Sequence, residues 1–352
     1  MRIAIVDHSF HRKTGSSAFF RRILEGLGTV TVFWDDSWRT GRVDTSLVRG
    51  LLDGEFDRIV FYQVFWPTEL VLQLGITEAV FVPMYDDIRR KNSEWWKGYR
   101  GCRFINFSRA LDDQLEQHAG ECLSVQYFPE PVESNRTSDG GLVGFFWQRN
   151  RSLQWKTIWN VASGIEWKQF NLHWVPDPGQ RTAARPSKDF CSQYSICFSE
   201  WFDDPSEFAK LMSSADVYFA PRLYEGIGMG FLEAMARGQC VVAPDSATHN
   251  EYITSGVNGI LYDPEVPGPV ALADARVLGA AARNSCREGY VHWKAQENQI
   301  RNFVNASPCV IDCDRARRTL SDASPSSRLW RTRGSIFERV GRKLMRVFSS
   351  SK

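Results

Sequence analysis

The chain has 352 residues, 43% of them hydrophobic and 24% charged, with 43 Lys or Arg against 41 Asp or Glu. That length suits two domains that each bury a core, and the composition excludes disordered and fibrous classes. No apolar run approaches the roughly 18 residues of a membrane span. The opening MRIAIVDHSF has no signal-peptide architecture and reads as a strand, so an intracellular protein is expected. Eight scattered cysteines without a CxxC pair fit reduced thiols. A metal reading of Cys309 with Cys313 rests on spacing alone.

In chain order, the first candidate strands are RIAIVD, VTVFW, RIVFYQVF, AVFVPMY, RFINFS and LSVQYF. Helical stretches separate them, the first being SAFFRRILEGL, which sets Phe19, Phe20, Ile23, Leu24 and Leu27 on one face. Short apolar strands alternating with helices predict a parallel sheet covered on both sides. A polar stretch, ESNRTSDGG, then carries the turn signal of Asp139, Gly140 and Gly141 and is read as a linker. A second series follows: GLVGFFWQ, FNLHWVP, YSICFS, ADVYFAP, QCVVAP and GILYDP. The predicted class is therefore α/β, with two Rossmann-like, doubly wound domains at 1–134 and 135–307. In open parallel sheets ligands bind beyond the carboxyl ends of the strands, so two such domains facing a central cleft are expected.

From Ala271 to Val304 the pattern is helical, with Tyr290 and Trp293 as anchors. Residues 314–352 then hold 11 Lys or Arg against 3 Asp or Glu, which leaves 32 against 38 elsewhere. Residues 308–352 read as a basic tail. On a helical wheel Ile336, Phe337, Val340, Leu344, Val347 and Phe348 share an arc of about 120 degrees, with Arg339, Arg342, Lys343 and Arg346 on a separate arc. A basic amphipathic helix lies on an anionic membrane surface, here through 328–348, or packs on the protein. No nucleic-acid module accompanies the charge, so no nucleic-acid partner is expected.

The stretch from Pro221 to Pro244, PRLYEGIGMGFLEAMARGQCVVAP, carries the chemistry. It reads as a turn after a buried strand, a helix opening near Gly228, and a helix end marked by Gly238. The first N–H groups of a helix, near Gly228, Met229 and Gly230, lack intrahelical partners and favour an anion such as a diphosphate. Gly226, Gly228 and Gly230 would let the backbone approach it. Glu225 and Glu233, eight positions apart, could accept hydrogen bonds from sugar hydroxyls on either side of the diphosphate. Ordinary loop glycines and a helix-start carboxylate are the alternative reading.

The run YEGIGMGFLEAMARGQCVVAPDSATHNEYITSGVNGILYDP resembles the nucleotide-sugar signature of retaining GT-B glycosyltransferases of the family 4 type, with its paired glutamates at Glu225 and Glu233. The resemblance implies that Glu225 lies by the transferred sugar, that Glu233 binds the ribose, and that Gly226, Gly228, Met229 and Gly230 serve the diphosphate. It also implies that no metal and no cofactor are needed, since helix ends and basic side chains carry the leaving-group charge. The family's Arg and Lys are matched by Arg149 and Lys156 in GFFWQRNRSLQWKT. Arg151 competes, and Gln148 stands in place of the customary glycine.

In the first domain, Thr14, Gly15, Ser16 and Ser17 fall between the first strand and helix. There Ser is a normal N-cap, and Gly15 and Ser16 resemble the family's phosphate and acceptor loop. His8 and His11 read as loop residues. Asp86 and Asp87 follow the fourth strand, where a carboxylate could act as base if it reached an acceptor hydroxyl, and helix capping explains an Asp equally well. The expected activity is transfer of a hexose from a nucleotide diphosphate sugar to a glycan or lipid-linked acceptor, in cell-surface polysaccharide or lipopolysaccharide synthesis, at the cytoplasmic face of the plasma membrane. A nucleotide-sugar epimerase or hydrolase of the same fold and an inactive membrane-associated scaffold are the alternatives.

Overall fold

The computed structural model describes residues 1–118, 120–132, 140–177, 180, 184–306, 308, 310–322 and 327–332. Two units divide the chain: 1–125 with 295 onward, and 126–294.

The first unit contains the strands β1 (Arg2–His8), β2 (Thr29–Asp35), β3 (Arg58–Tyr62), β4 (Ile76–Thr77), β5 (Val80–Val82), β6 (Arg103–Asn106) and β7 (Glu121–Ser124). Six of them form one sheet in the order β2-β1-β3-β5-β6-β7, every pair parallel. Helices cover such a sheet on both faces, so its strands are apolar without alternation, and Ile3, Ala4, Ile5 and Val6 are buried in succession. The core is built largely of aromatics. Phe61 stacks on Phe81 at 4.5 Å, and Trp66, Trp96, Tyr99 and Phe104 join the same cluster.

The second unit contains β8 (Val143–Trp147), β9 (Gln169–His173), β10 (Ile196–Ser199), β11 (Val217–Phe219), β12 (Cys240–Pro244) and β13 (Ile260–Tyr262). Their order is β10-β9-β8-β11-β12-β13, again parallel throughout. The first strand thus lies mid-sheet, and the connections change direction between β8 and β11. This is the strand order of dinucleotide-binding sheets, with its ligand crevice at that switch point. All twelve strands read from the sequence occur in these two sheets.

Three boundaries differ from the expected ones. The division falls after Val125, not at 134/135, because the next residues bond into the second unit: Gln126 Nε2 donates to the Glu251 carbonyl at 3.3 Å and Tyr127 N to the Tyr252 hydroxyl at 3.1 Å. Most of the expected linker, 133–139, lies outside the described residues. The second division falls within the 31-residue helix Ala275–Asn305, not at 307/308, since Arg301 Nε donates to Ile23 O at 3.1 Å and Arg58 Nε to Val304 O at 2.9 Å.

The third correction concerns residues 308–352 as a separate tail. A strand β14 (Val310–Ile311) pairs antiparallel with β4, and the helix Cys313–Ser321 buries Ala316 and Leu320 in the first unit's core. Trp330 is fully buried there, and its carbonyl accepts from Val43 N at 2.9 Å. Residues 328–332 therefore pack on the protein rather than on a membrane, because an indole placed among Trp66, Phe61 and their neighbours is already out of water. Residues 333–348, with the amphipathic wheel, lie outside the described residues.

Candidate active site

At the switch point of the second unit, β8 ends on Trp147 and the chain turns around the side chain of Gln148, which is fully buried. Its Nε2 donates to Asn150 O at 2.7 Å and its Oε1 accepts from Trp155 N at 2.8 Å. One amide thus satisfies both ends of the loop, which is what a glutamine does there that glycine could not. Arg149 leaves this loop with its guanidinium 4.5 Å from the Trp147 ring. Its Nε and Nη2 each lie 2.8 Å from Asp177 Oδ1, while Arg222 Nη2 donates to Asp177 Oδ2 at 2.6 Å. Arg222 follows Pro221 beyond β11, so the two arginines come from neighbouring strand ends. Lys156 is exposed on the helix Trp155–Val161, its Nζ 6.0 Å from the Trp155 ring, and Arg151 is exposed too.

The glycines of the Pro221–Pro244 stretch have a local reason. Gly228 precedes the helix Met229–Ala236 at φ 80°, ψ 33°, a left-handed conformation that disfavours side chains. A Cβ on it would fall 2.0 Å from Phe231 Cε1, and one on Gly230 would fall 2.9 Å from the Tyr218 hydroxyl. What must come close at these positions is the chain itself, so the anion-approach argument is not needed for either glycine. Gly226 and Gly228 are buried, Met229 is partly exposed and Gly230 exposed, and the helix has no side-chain N-cap. Its first amides are therefore unpaired within the helix, and its amino end is presented at Met229 and Gly230.

Glu225 is partly buried in the turn, whose backbone is fastened by the Thr248 hydroxyl, 2.8 Å from the Glu225 carbonyl and 3.1 Å from that of Gly226. Glu233 lies on the helix with its Oε2 3.3 Å from Arg237 Nη1, an i,i+4 pair. Burial raises the Tyr218 phenol well above its ordinary value, and Glu225 and Glu233 push it further while Arg149 and Arg222 oppose them. Arg149 follows β8, Glu225 follows β11 and Glu233 lies in the second turn of the helix after it, so the chain brings these three residues to the carboxyl end of the sheet.

Asp177, Arg222 and Tyr218 are absent from the sequence reading. For Arg222, the signal was a cation directly after a strand-ending Pro. For Asp177 there was none, because its partners are 28 and 45 positions away. Nearby, His249 is completely buried against Phe231, and neither ring nitrogen has a hydrogen-bond partner among the described residues. Burial lowers its pKa to about 3.

In the first unit, Gly15 is exposed at φ 68°, and Ser16 Oγ lies 2.7 Å from Thr14 Oγ1. Ser17 occupies the N-cap position of the helix Ala18–Glu25 without capping it. Its hydroxyl donates to Asp7 Oδ2 at 2.5 Å, and Asp7 Oδ1 lies 2.7 Å from His11 Nδ1. His11 is thus part of a buried Asp7-centred network rather than a plain loop residue. His8 stacks on Trp38 at 4.7 Å, and burial, reinforced by His11, lowers its pKa to about 4. Asp86 and Asp87 lie in the first turn of the helix Tyr85–Ile88 beyond β5, and Met84, not an aspartate, holds the N-cap position.

Among the described residues no group of three or more His, Cys, Asp or Glu could hold a metal ion, and no helix is long and apolar enough to cross a membrane. Cys309 lies outside the described residues, and Cys313 is exposed.

Residues 194–276 match the model of the family Glycosyl transferases group 1. That segment includes Arg222, Glu225, Glu233 and Thr248 and stops short of Arg149 and Asp177. Over 66 residues the chain is 41% identical to EpsD of Bacillus subtilis strain 168, provisionally named a glycosyltransferase, covering 19% of this chain and 16% of that protein. Over 69 residues it is 44% identical to an uncharacterised glycosyltransferase of Methanocaldococcus jannaschii, covering 20% and 18%. The matched stretches thus span under a fifth of those relatives.

Among solved structures, sucrose-phosphate synthase of Thermosynechococcus elongatus aligns with a TM-score of 0.60 at 14% identity, covering 92% of this chain and 100% of that one. HepE of Anabaena, solved in complex with UDP and glucose, aligns with a TM-score of 0.57 at 15% identity, covering 85% and 99%. At such identities the likeness speaks for the fold. Residues 194–276 are thus similar to the glycosyl transferases group 1, and the two parallel six-stranded sheets have the two-unit GT-B architecture.

Proposed function

We propose that the chain transfers a hexose, with retention of anomeric configuration, from a nucleoside diphosphate sugar to a glycan or lipid-linked acceptor in the synthesis of a cell-surface polysaccharide or lipopolysaccharide. The reading is carried by one observation: Arg149 and Arg222 meet on Asp177 at the β8/β11 switch point, beside the turn that carries Glu225. When the bond from sugar to phosphate breaks, negative charge develops on the leaving diphosphate, and fixed cations with helix amides stabilise it without a metal ion. Lys156 adds a cation one turn from Arg149's loop. In this reading Glu225 orients the hexose, Glu233 accepts a ribose hydroxyl, and Gly226, Gly228, Met229 and Gly230 form the diphosphate turn.

The first unit serves the acceptor, with Gly15 and Ser16 in its loop and Asp86 or Asp87 as the group that accepts the acceptor's proton. HepE was solved with UDP and glucose, which supports trying UDP-hexoses first. A peripheral site of action at the inner membrane face suits a lipid-linked acceptor and the basic arc of residues 339–346. The test is release of nucleoside diphosphate from purified protein given a donor panel and an acceptor extract, with EDTA present. Activity that survives EDTA and disappears in Glu225→Ala supports the proposal; unchanged turnover in Glu225→Ala removes it, and turnover without acceptor points to hydrolysis or epimerisation instead.

A further inference from the structure

We infer that Asp177 is a positioning residue for the donor diphosphate: it ties Arg149 and Arg222 into a single two-guanidinium clamp. The inference rests on the donor reading above and adds to it a residue that lies outside the matched family segment. Arg149 leaves the end of β8 and Arg222 follows β11, the two strands that flank the switch point. Two guanidinium groups at adjacent strand ends repel, and long flexible side chains would splay apart. Asp177 prevents this with both oxygens. Oδ1 receives Nε and Nη2 of Arg149, each at 2.8 Å, and Oδ2 receives Nη2 of Arg222 at 2.6 Å.

The carboxylate is itself fixed, because Asp177 N donates to the Arg149 carbonyl at 2.8 Å. Arg149 is held a second way by the Trp147 ring at 4.5 Å. A guanidinium has five N–H donors in a rigid plane, so the edge spent on a fixed carboxylate orients the opposite edge. The trio keeps a net charge of +1. It therefore attracts a polyanion while costing less in mutual repulsion than two bare cations. An anion with two phosphoryl groups matches paired guanidiniums better than an anion with one.

The experiment is calorimetric titration of the full chain with three probes: UDP, inorganic pyrophosphate, and uridine, which lacks phosphate. Wild type is expected to bind UDP and pyrophosphate, and Asp177→Asn to weaken both by about tenfold while uridine is unaffected. Because Asp177 acts through the arginines, adding Asp177→Asn to Arg222→Gln should cost less than about threefold further, a non-additivity that a general loss of structure would not produce. Asp177→Ser is the second variant, with the same expectations, if the amide prevents folding.

UDP binding equal to or tighter than wild type in Asp177→Asn overturns the clamp and leaves the donor reading standing, since the carboxylate would then be a competing counterion. A full further tenfold loss on the Arg222→Gln background also overturns it. Failure of wild type to bind pyrophosphate or any of UDP, GDP, ADP, CDP and dTDP overturns both readings before any substitution is made.

Discussion

The hydroxyl of Thr248 holds the turn that carries Glu225: it lies 2.8 Å from the Glu225 carbonyl and 3.1 Å from that of Gly226. A hydroxyl has one hydrogen, so the two carbonyls share a single donor, and the turn's position depends on it. Thr248→Val keeps the shape and removes the donor. We expect a loss of about 1–2 kcal/mol in stability, from one buried hydrogen bond. Turnover should fall more than the affinity for nucleoside diphosphate, because the displaced group is Glu225. Steady-state kinetics beside calorimetry measures that split, and an equal change in both would detach the turn from the reacting centre.

Gly228→Ala should be among the most damaging single substitutions in the second unit. Its φ of 80° costs any other residue roughly 1–2 kcal/mol, and the new methyl would sit 2.0 Å from the Phe231 ring. Overpacking adds about 1–3 kcal/mol. Urea unfolding at a neutral pH reads the sum, and the expectation holds with no ligand present.

Glu233→Gln separates the ribose from the diphosphate. The carboxylate is about two-fifths exposed and pairs with Arg237, so the amide should cost little stability. It should weaken UDP by several-fold and leave inorganic pyrophosphate alone, because the amide oxygen still accepts the ribose hydroxyl's hydrogen bond but without the charge that strengthens it. Equal weakening of both probes would move Glu233 away from the ribose.

Acid should unfold the protein through its buried histidines. His249 has a pKa lowered to about 3 and His173 to about 4, in both cases by burial. Below the unfolded value near 6.5 the unfolded chain binds protons that the folded one refuses, so stability falls as pH drops from 6.5 toward 4. Each such histidine contributes a slope of up to about 1.4 kcal/mol per pH unit. His249→Phe, which keeps the ring contact with Phe231, should flatten the midpoint-versus-pH curve over that window.

Trp330 is wholly buried in the first unit's core, which it enters from the far end of the chain. Trp330→Ala should cost about 3–5 kcal/mol. A chain ending at Thr332 retains that anchor, so it should melt near the full-length midpoint while losing retention on vesicles of anionic lipid. Retention that survives this truncation would remove residues 333–352 as the membrane contact.

The strand-turn-helix from Val217 to Ala236 and all twelve sheet strands were legible because they are local. An apolar run such as RIAIVD between turn signals, or a glycine before MGFLEAMA, has the same meaning in any surroundings. Where several partners compete for one group, the spacing of residues does not choose among them. The lack of a side chain at Gly228 is already required by Phe231, three residues on, whatever the helix amides bind. Ser17 looked like a cap, and its hydroxyl belongs to Asp7.

The sequence by itself determined the two-unit α/β architecture, since periodicity and turn chemistry act over a few residues. Only the tertiary structure decided that Asp177 joins Arg149 to Arg222, that Thr248 fastens the turn carrying Glu225, and that Trp330 returns to the first unit's core. Those pairings depend on which strand ends a parallel sheet brings side by side. Strand order follows from crossovers and packing, not from the spacing of residues along the chain.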